Sequence, residues 1–318
     1  VTDPAPYFAE LARGPADGVT FWLTTSDGIR IRMGAWNLDA ERGTVLIFPG
    51  RSEYVEKYGP AASDLAERGY ATVAIDWRGQ GLGDRLNPNP ALGHVDGFSD
   101  YQRDVEAVVA RVRAMGLPEP FFLLGHSMGG CIGLRALHEG LPVDAAAFTA
   151  PMWGIQISPA LRPVAWTLSS VSRPLRFSHV FAPGQVPAPY VMRVTYEENH
   201  LTRDEEMFEW MRSHLLANHE LGLGGPSLHW LNEALFETRR LARLPAPDMP
   251  GLTYLGSREA IVEPDRIHDR MAGWPDGRLE LVEGCEHEIM METPAIRRRF
   301  FDDLATHFAP RAPRSLAV

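Results

Sequence analysis

The chain has 318 residues, 45% of them hydrophobic and 23% charged, with a formal net charge of −10. It is long enough to bury a sizeable core, as one large or two small domains. Its acidic balance, with no basic stripe, argues against nucleic acid as a partner and gives no attraction to anionic lipid headgroups.

Residues 1–18 are polar and punctuated by Pro and Gly, so a loosely docked arm is expected there. Val19–Thr25 and Ile29–Asn37 are β-rich runs joined by Ser26-Asp27-Gly28, a hairpin signal. Thr44–Phe48 predicts a short buried strand, Glu56–Arg68 an amphipathic helix and Ala71–Ile75 another strand. Ser99 and Asp100 stand where the caps of a helix running to about Met115 belong. Phe121–Leu124 and Ala145–Thr149 are two further apolar strands. Residues 151–243 break the rhythm: they are rich in Pro, aromatic residues and Met, with helical spacing at Val164–Ser172 and Asp204–Leu216. The alternation resumes with Leu252–Leu255, Pro264–Ala272, Arg278–Val282 and a helix from about Thr293. Strands alternating with helices after an opening hairpin imply an α/β fold, a mostly parallel sheet covered on both faces. The expected organisation is an arm (1–18), a first core segment (19–150), an inserted helical cap (151–243) and a second core segment (244–318). The cap would begin at a strand C-terminus, where open α/β sheets place their ligand crevice.

One stretch carries chemistry. Phe121–Gly130 reads FFLLGHSMGG, an apolar strand turning into a helix at G-x-S-x-G. That turn exposes a serine at a helix N-terminus, where an acyl-transfer nucleophile belongs. Alone the five-residue pattern is weak; the strand before it and the helix after it supply its context. Serine needs a base, and the base an orienting carboxylate, in the order serine, acid, histidine. His287 lies in the loop after the last strand. Glu259 lies beyond the strand ending at Leu255, with Asp265 and Glu263 as rivals for the acid. The two oxyanion donors fall to the backbone N–H of Met128 and, because Gly50 lets the loop turn, that of Arg51, whose side chain need not be catalytic. Gly50, His126, Met152, Trp153, Ile155, Trp166 and Phe208 are the candidate substrate-facing residues. The apolar ones serve equally well as plain core.

Other chemistry is poorly supported. DWRGQGLGD, at Asp76–Asp84, lacks the Gly-Lys-Ser/Thr of a phosphate loop and does not open a helix. Arg78, Gly79, Gly81 and Asp84 read instead as a buttress under the site. No H-E-x-x-H or Cys/His cluster suggests a metal, and His214 and His219 are badly spaced on a helix, so neither metal nor cofactor is expected. Cys131 and Cys285 form no disulfide framework, and Cys131 reads as a small buried residue. With no signal-like N-terminal segment and no apolar run near ~18 residues, a cytoplasmic protein without a transmembrane segment is expected.

Taken together, FFLLGHSMGG, FPGRSEYVEKY at Phe48–Tyr58, DWRGQGLGD, GSRE at Gly256–Glu259 and His287-Glu288 resemble the α/β-hydrolase superfamily. Within it they are most similar to the monoacylglycerol lipase and lysophospholipase L2 branch, the serine aminopeptidase S33 or hydrolase-4 type. The likeness covers roughly residues 15–308 and is weak through the cap. It implies that Ser127 is the nucleophile, that the glycine-led loop supplies an oxyanion amide, and that the substrate is a monoacylglycerol, a lysophospholipid or a short ester. Transient contact with a lipid surface fits such a substrate. Pro49 stands where the family usually has His, and Glu259 where Asp is usual. The acidic charge makes a neutral or zwitterionic substrate easier to accept than an anionic one. A proline-type aminopeptidase is the alternative enzyme; Glu197, Glu198, Glu205 and Glu206 would receive its substrate amine. A dehalogenase or epoxide hydrolase needs a carboxylate where Ser127 stands. A non-catalytic ligand-binding protein is the alternative outside enzymes.

Overall fold

Thr44–Phe48 shows how the sheet is built. Val45 and Ile47 point into one apolar cluster, Leu46 and Phe48 into the other, and all four are buried. A strand covered on both faces must be apolar at every position, which is why TVLIF lacks polar alternation. The computed structural model describes residues 3–309. Its strands are β1 (Val19–Thr24), β2 (Arg30–Trp36), β3 (Thr44–Phe48), β4 (Ala71–Asp76), β5 (Phe121–His126), β6 (Ala145–Thr149), β7 (Gly251–Gly256) and β8 (Gly277–Val282). They form one sheet in the order β1-β2-β4-β3-β5-β6-β7-β8. β1–β2 and β2–β4 are antiparallel and every later pairing is parallel.

The helices are α1 (Ala9–Ala12), α2 (Gly59–Ala66), α3 (Tyr101–Ala114), α4 (Met128–His138), α5 (Arg162–Ser172), α6 (Glu205–Ala217), α7 (Leu228–Leu241), α8 (Pro264–Ala272) and α9 (Pro294–His307). α2 and α9 cover one face of the sheet; α3, α4 and α8 cover the other. This is the expected α/β-hydrolase fold.

Two local outcomes differ from the sequence reading. The helix expected over 56–68 divides into a 3-10 turn, Val55–Tyr58, and α2. Pro60 has no N–H to continue the ladder, so the helix restarts around it. The described part of the arm, from Asp3 on, is pinned rather than loose. Ala5 N–H donates to Thr20 O (3.1 Å), Arg32 Nη1 to Pro6 O (2.8 Å), and Tyr7 accepts from Trp36 Nε1 (2.9 Å). Gly59 permits that packing, since a Cβ there would lie 1.8 Å from Ala12 O. The insert between β6 and β7 packs into both of the main apolar clusters. Met207, Trp210 and Met211 of α6 join the cluster under α2 and α9, and Trp230, Ala234 and Leu241 of α7 join the opposite one. No described helix is long and apolar enough to cross a membrane.

Candidate active site

The turn between β5 and α4 forces Ser127 to φ 50° and ψ −117°, a strained conformation for a residue with a Cβ. Close approach explains its glycines. A Cβ on Gly125 would lie 2.9 Å from Gly130 Cα, and one on Gly129 would lie 1.8 Å from Phe48 O. The start of α4 is thus pressed against the end of β3, which brings the Met128 amide beside the Pro49–Ser52 loop. Among the described residues, neither the Met128 N–H nor the Arg51 N–H donates a hydrogen bond. Two unsatisfied donors at the mouth of a helix N-terminus are what a developing oxyanion requires.

The loop carrying Arg51 is braced from below. Gln80 Nε2 donates to Gly50 O (2.8 Å) and Glu53 O (3.1 Å), and Trp77 Nε1 to Pro49 O (2.9 Å). Pro49 therefore needs no imidazole of its own to fix the turn. Arg78 is paired with Asp104 and Asp27, at 2.8 Å each, and a Cβ on Gly81 would strike Asp76. These contacts fit the buttressing role expected of DWRGQGLGD, to which Gln80 adds the direct link to the loop.

The ends of β7 and β8 supply the other two groups. A Cβ on Gly256 would lie 2.3 Å from Glu286 O, so the two loops are in tight contact. His287 Nδ1 is 2.7 Å from Glu259 Oε2. Glu259 Oε1 accepts from the N–H groups of Ile261 (2.6 Å) and Val262 (3.0 Å). Its own loop therefore takes up the extra methylene relative to Asp. Of the two rivals, Glu263 pairs with Arg162 (3.1 Å) and Asp265 is exposed on α8. Burial disfavours charge on both partners, yet each charge favours the other. Burial would push the His287 pKa down, but Glu259 turns the net shift upward; burial would raise Glu259, but His287 and the two amides turn it downward. The Ser127 hydroxyl makes no hydrogen bond among the described residues, and its residue is 9% exposed.

Beneath this lies a polar cluster that was not legible in the sequence. Lys57 Nζ is 2.6 Å from Glu53 Oε1 and 2.6 Å from Glu288 Oε2. Glu53 Oε2 accepts from the Gly50 N–H and the Tyr58 hydroxyl. Glu53, His126 and Glu288 place ligand atoms within 4.8 Å of one another, as a metal would need. The Lys57 ammonium already provides the positive charge between the two carboxylates.

The substrate-facing candidates scatter. Gly50 stays at the oxyanion loop, but its N–H is turned onto Glu53. His126 corrects our expectation: it is 2% exposed, with Nδ1 near Thr149 O (3.1 Å) and Oγ1 (2.9 Å) and Nε2 3.6 Å from Glu53 Oε1, so it joins the buried cluster. Met152 and Phe208 are buried at 6% and 0% exposure. Trp153, Ile155 and Trp166 line a cavity of about 250 Å³ whose walls include none of Ser127, Glu259 and His287.

Sheet order, strand-to-helix serine turn and histidine after the last strand define an α/β hydrolase. Residues 39–294 match the Hydrolase_4 model, described as serine aminopeptidase, S33, and the chain belongs to that family. It is 30% identical to lysophospholipase L2 of Escherichia coli (strain K12), over 98% of this chain and 96% of that protein. It is 27% identical to the probable lysophospholipase L2 of Haemophilus influenzae, over 85% of this chain and 84% of that one. A soluble variant of monoglyceride lipase from Saccharomyces cerevisiae, solved with a substrate analog, superposes with a TM-score of 0.71 at 20% identity, covering 90% of this chain and 94% of the other.

Proposed function

We propose that the chain is a serine hydrolase that cleaves carboxylic esters through an acyl-enzyme, without a cofactor. Its substrates on this reading are single-chain lipid esters, monoacylglycerols or lysophospholipids, the classes named in its relatives. The observation that carries the reading is the Glu259–His287 bond of 2.7 Å on the rim that also bears the strained Ser127 turn. Glu259 holds the proton on Nδ1 and leaves Nε2 free as the base. The reading requires the Ser127 hydroxyl to meet Nε2 when substrate binds; such bonds are often loose before then. The serine oxygen attacks the acyl carbon, His287 takes the proton, and the Met128 and Arg51 amides receive the oxyanion. His287 then protonates the departing alcohol, and water, deprotonated by the same imidazole, releases the acid.

The insert acts as a cap on this reading, because the N–H groups of His287 and Glu288 donate to His200 O (3.2 Å) and Leu201 O (2.8 Å) within it. Two buried free thiols, Cys131 and Cys285, support a reducing, cytoplasmic setting. The aminopeptidase alternative gains no support from Glu197, Glu198, Glu205 and Glu206: all are exposed, and Glu206 pairs with Arg13 at 2.9 Å.

A fluorophosphonate probe tests the chemistry. Wild type should label at Ser127, and Ser127→Ala should not label and should lose about 10³-fold or more in turnover. Folded wild type that refuses the probe would sink the acyl-enzyme reading. Turnover of prolyl amides, with no activity on p-nitrophenyl esters, monoacylglycerol or lysophosphatidylcholine, would move the substrate to the alternative.

A further inference from the structure

Arg51 enters the site through its backbone, and its side chain is unexplained by that role. The buried arginines elsewhere are neutralised or saturated. Arg32 meets Asp76 and Glu56 at 2.7 Å each, Arg78 meets Asp104 and Asp27, and Arg270 donates to the carbonyls of Leu241, Leu244 and Pro245. Arg51 has no carboxylate partner among the described residues. Of its five N–H donors it spends one, from Nη1 to Gly224 O at 2.8 Å. Its guanidinium lies 5.7 Å from the Trp230 ring centre, and a Cβ on Gly93 would come within 3.0 Å of Nη1. The fork is therefore held rigidly between the core loop at Gly93 and the insert, and it remains partly exposed. Arg193, also without an acidic partner, adds positive charge nearby. Burial, and secondarily repulsion from Arg193, pushes the Arg51 pKa down to about 10, so the group is still a cation at neutral pH. An immobilised, partly exposed cation with unspent donors and no carboxylate beside it is a ready receptor for an anion.

Resting on the ester-hydrolase reading, we propose that the Arg51 guanidinium is the specificity determinant for a phosphate on the alcohol side of the substrate, so that the site favours lysophospholipids over monoacylglycerols. The position suits this: on the ester-hydrolase reading the backbone N–H of Arg51 addresses the acyl oxygen, so the guanidinium belongs to the residue that meets the reacting ester. A planar fork matches a phosphate in two bonds. The local charge is thus opposite to the net charge of −10 that suggested a neutral substrate.

The test compares kcat/KM on lysophosphatidylglycerol and on monoacylglycerol of the same acyl chain. Arg51→Gln keeps the backbone donor and should lower the phosphate-to-neutral ratio about tenfold or more, mainly through KM, with Arg51→Lys falling less. An unchanged ratio, whether both substrates suffer equally or neither does, overturns the inference and leaves Arg51 as a tie to the insert. A second arm uses wild type alone, so a misfolded variant cannot hide the answer. Glycerol 3-phosphate should slow fluorophosphonate labelling of Ser127 more than glycerol or inorganic phosphate at equal concentration. Equal slowing by glycerol overturns the phosphate contact; equal slowing by inorganic phosphate assigns the guanidinium to a free anion and overturns the headgroup assignment. If wild type turns over neither ester, the ester-hydrolase reading fails, and the labelling arm still decides the role of Arg51.

Discussion

Two imidazoles, His126 and His287, lie 4.9 Å apart between ring centres and are similarly buried, at 2% and 3% exposure. Their pKa values move in opposite directions. Burial pushes His126 down to about 3; it pushes His287 down too, but Glu259 reverses the sign. The difference is one carboxylate. His287 has Glu259 at 2.7 Å, whereas the carboxylate nearest His126, Glu53 at 3.6 Å, is already held by Lys57, the Gly50 N–H and Tyr58. Burial alone makes a histidine a neutral structural group; a carboxylate at its back that no other cation holds makes it a base. The upper pair can move protons, while the lower cluster holds fixed charges that brace the oxyanion loop through Gly50 and the histidine loop through Glu288.

The largest effect that could break this contrast is expected from Glu259→Gln. It removes the charge behind His287 and should lower kcat/KM by about 10²–10⁴-fold. It should also move the pH profile. The base must be neutral, and the wild-type His287 pKa is raised above 6.5, so activity should rise with pH with a midpoint above that value. Without that carboxylate the strongest opposition to burial is gone, although Glu288 and Glu53 still favour the charged ring, and the midpoint should shift to lower pH. A variant that loses rate but keeps the wild-type midpoint would show that Glu259 does not set the basicity of His287.

Lys57→Met attacks the lower cluster. It strands Glu53 and Glu288 without their shared cation, and breaking such a buried pair destabilises by about 3–5 kcal/mol. One of the two carboxylates should then hold a proton in the folded state. A carboxylate whose folded pKa is raised loses stability as pH rises through it, so the deficit in chemical denaturation should grow with pH. A loss below about 1 kcal/mol, the size of an exposed pair, would mean that the cluster is not the rigid brace its distances suggest.

Legibility followed the same division. Ser127 was readable because its turn constrains neighbours in sequence: an apolar strand before it, small residues around it and a helix after it. Glu259 and His287 were readable from their places after strand ends, since a parallel sheet delivers such loops to one rim. Glu53, Lys57 and Glu288 were not. In EYVEKY, charges at helical spacing look like a solvated face, and nothing local shows that Glu288 closes over them from more than two hundred residues away. Gln80 was hidden because its partners are backbone atoms of Gly50 and Glu53. The aromatic residues of the insert failed as a guide to the acyl site because bulky apolar side chains serve core, cavity and crevice alike. Phe208 went to the first, Trp166 to the second.

The smallest effect gives the sharpest separation of the two regions. Tyr58→Phe removes one hydroxyl donor from Glu53 and leaves Lys57 and the Gly50 amide in place. Burial holds the phenol neutral, so the change deletes a hydrogen bond and no charge. A bond from a neutral donor to a buried carboxylate contributes about 1.5–3 kcal/mol, and that is the stability loss to look for. Tyr58 does not touch His287, so the midpoint of kcat/KM against pH should stay where wild type has it even as the protein becomes easier to unfold. If the midpoint moves with Tyr58→Phe as far as with Glu259→Gln, the two histidines share one titrating network, and the division between a proton-moving pair and a fixed brace is wrong.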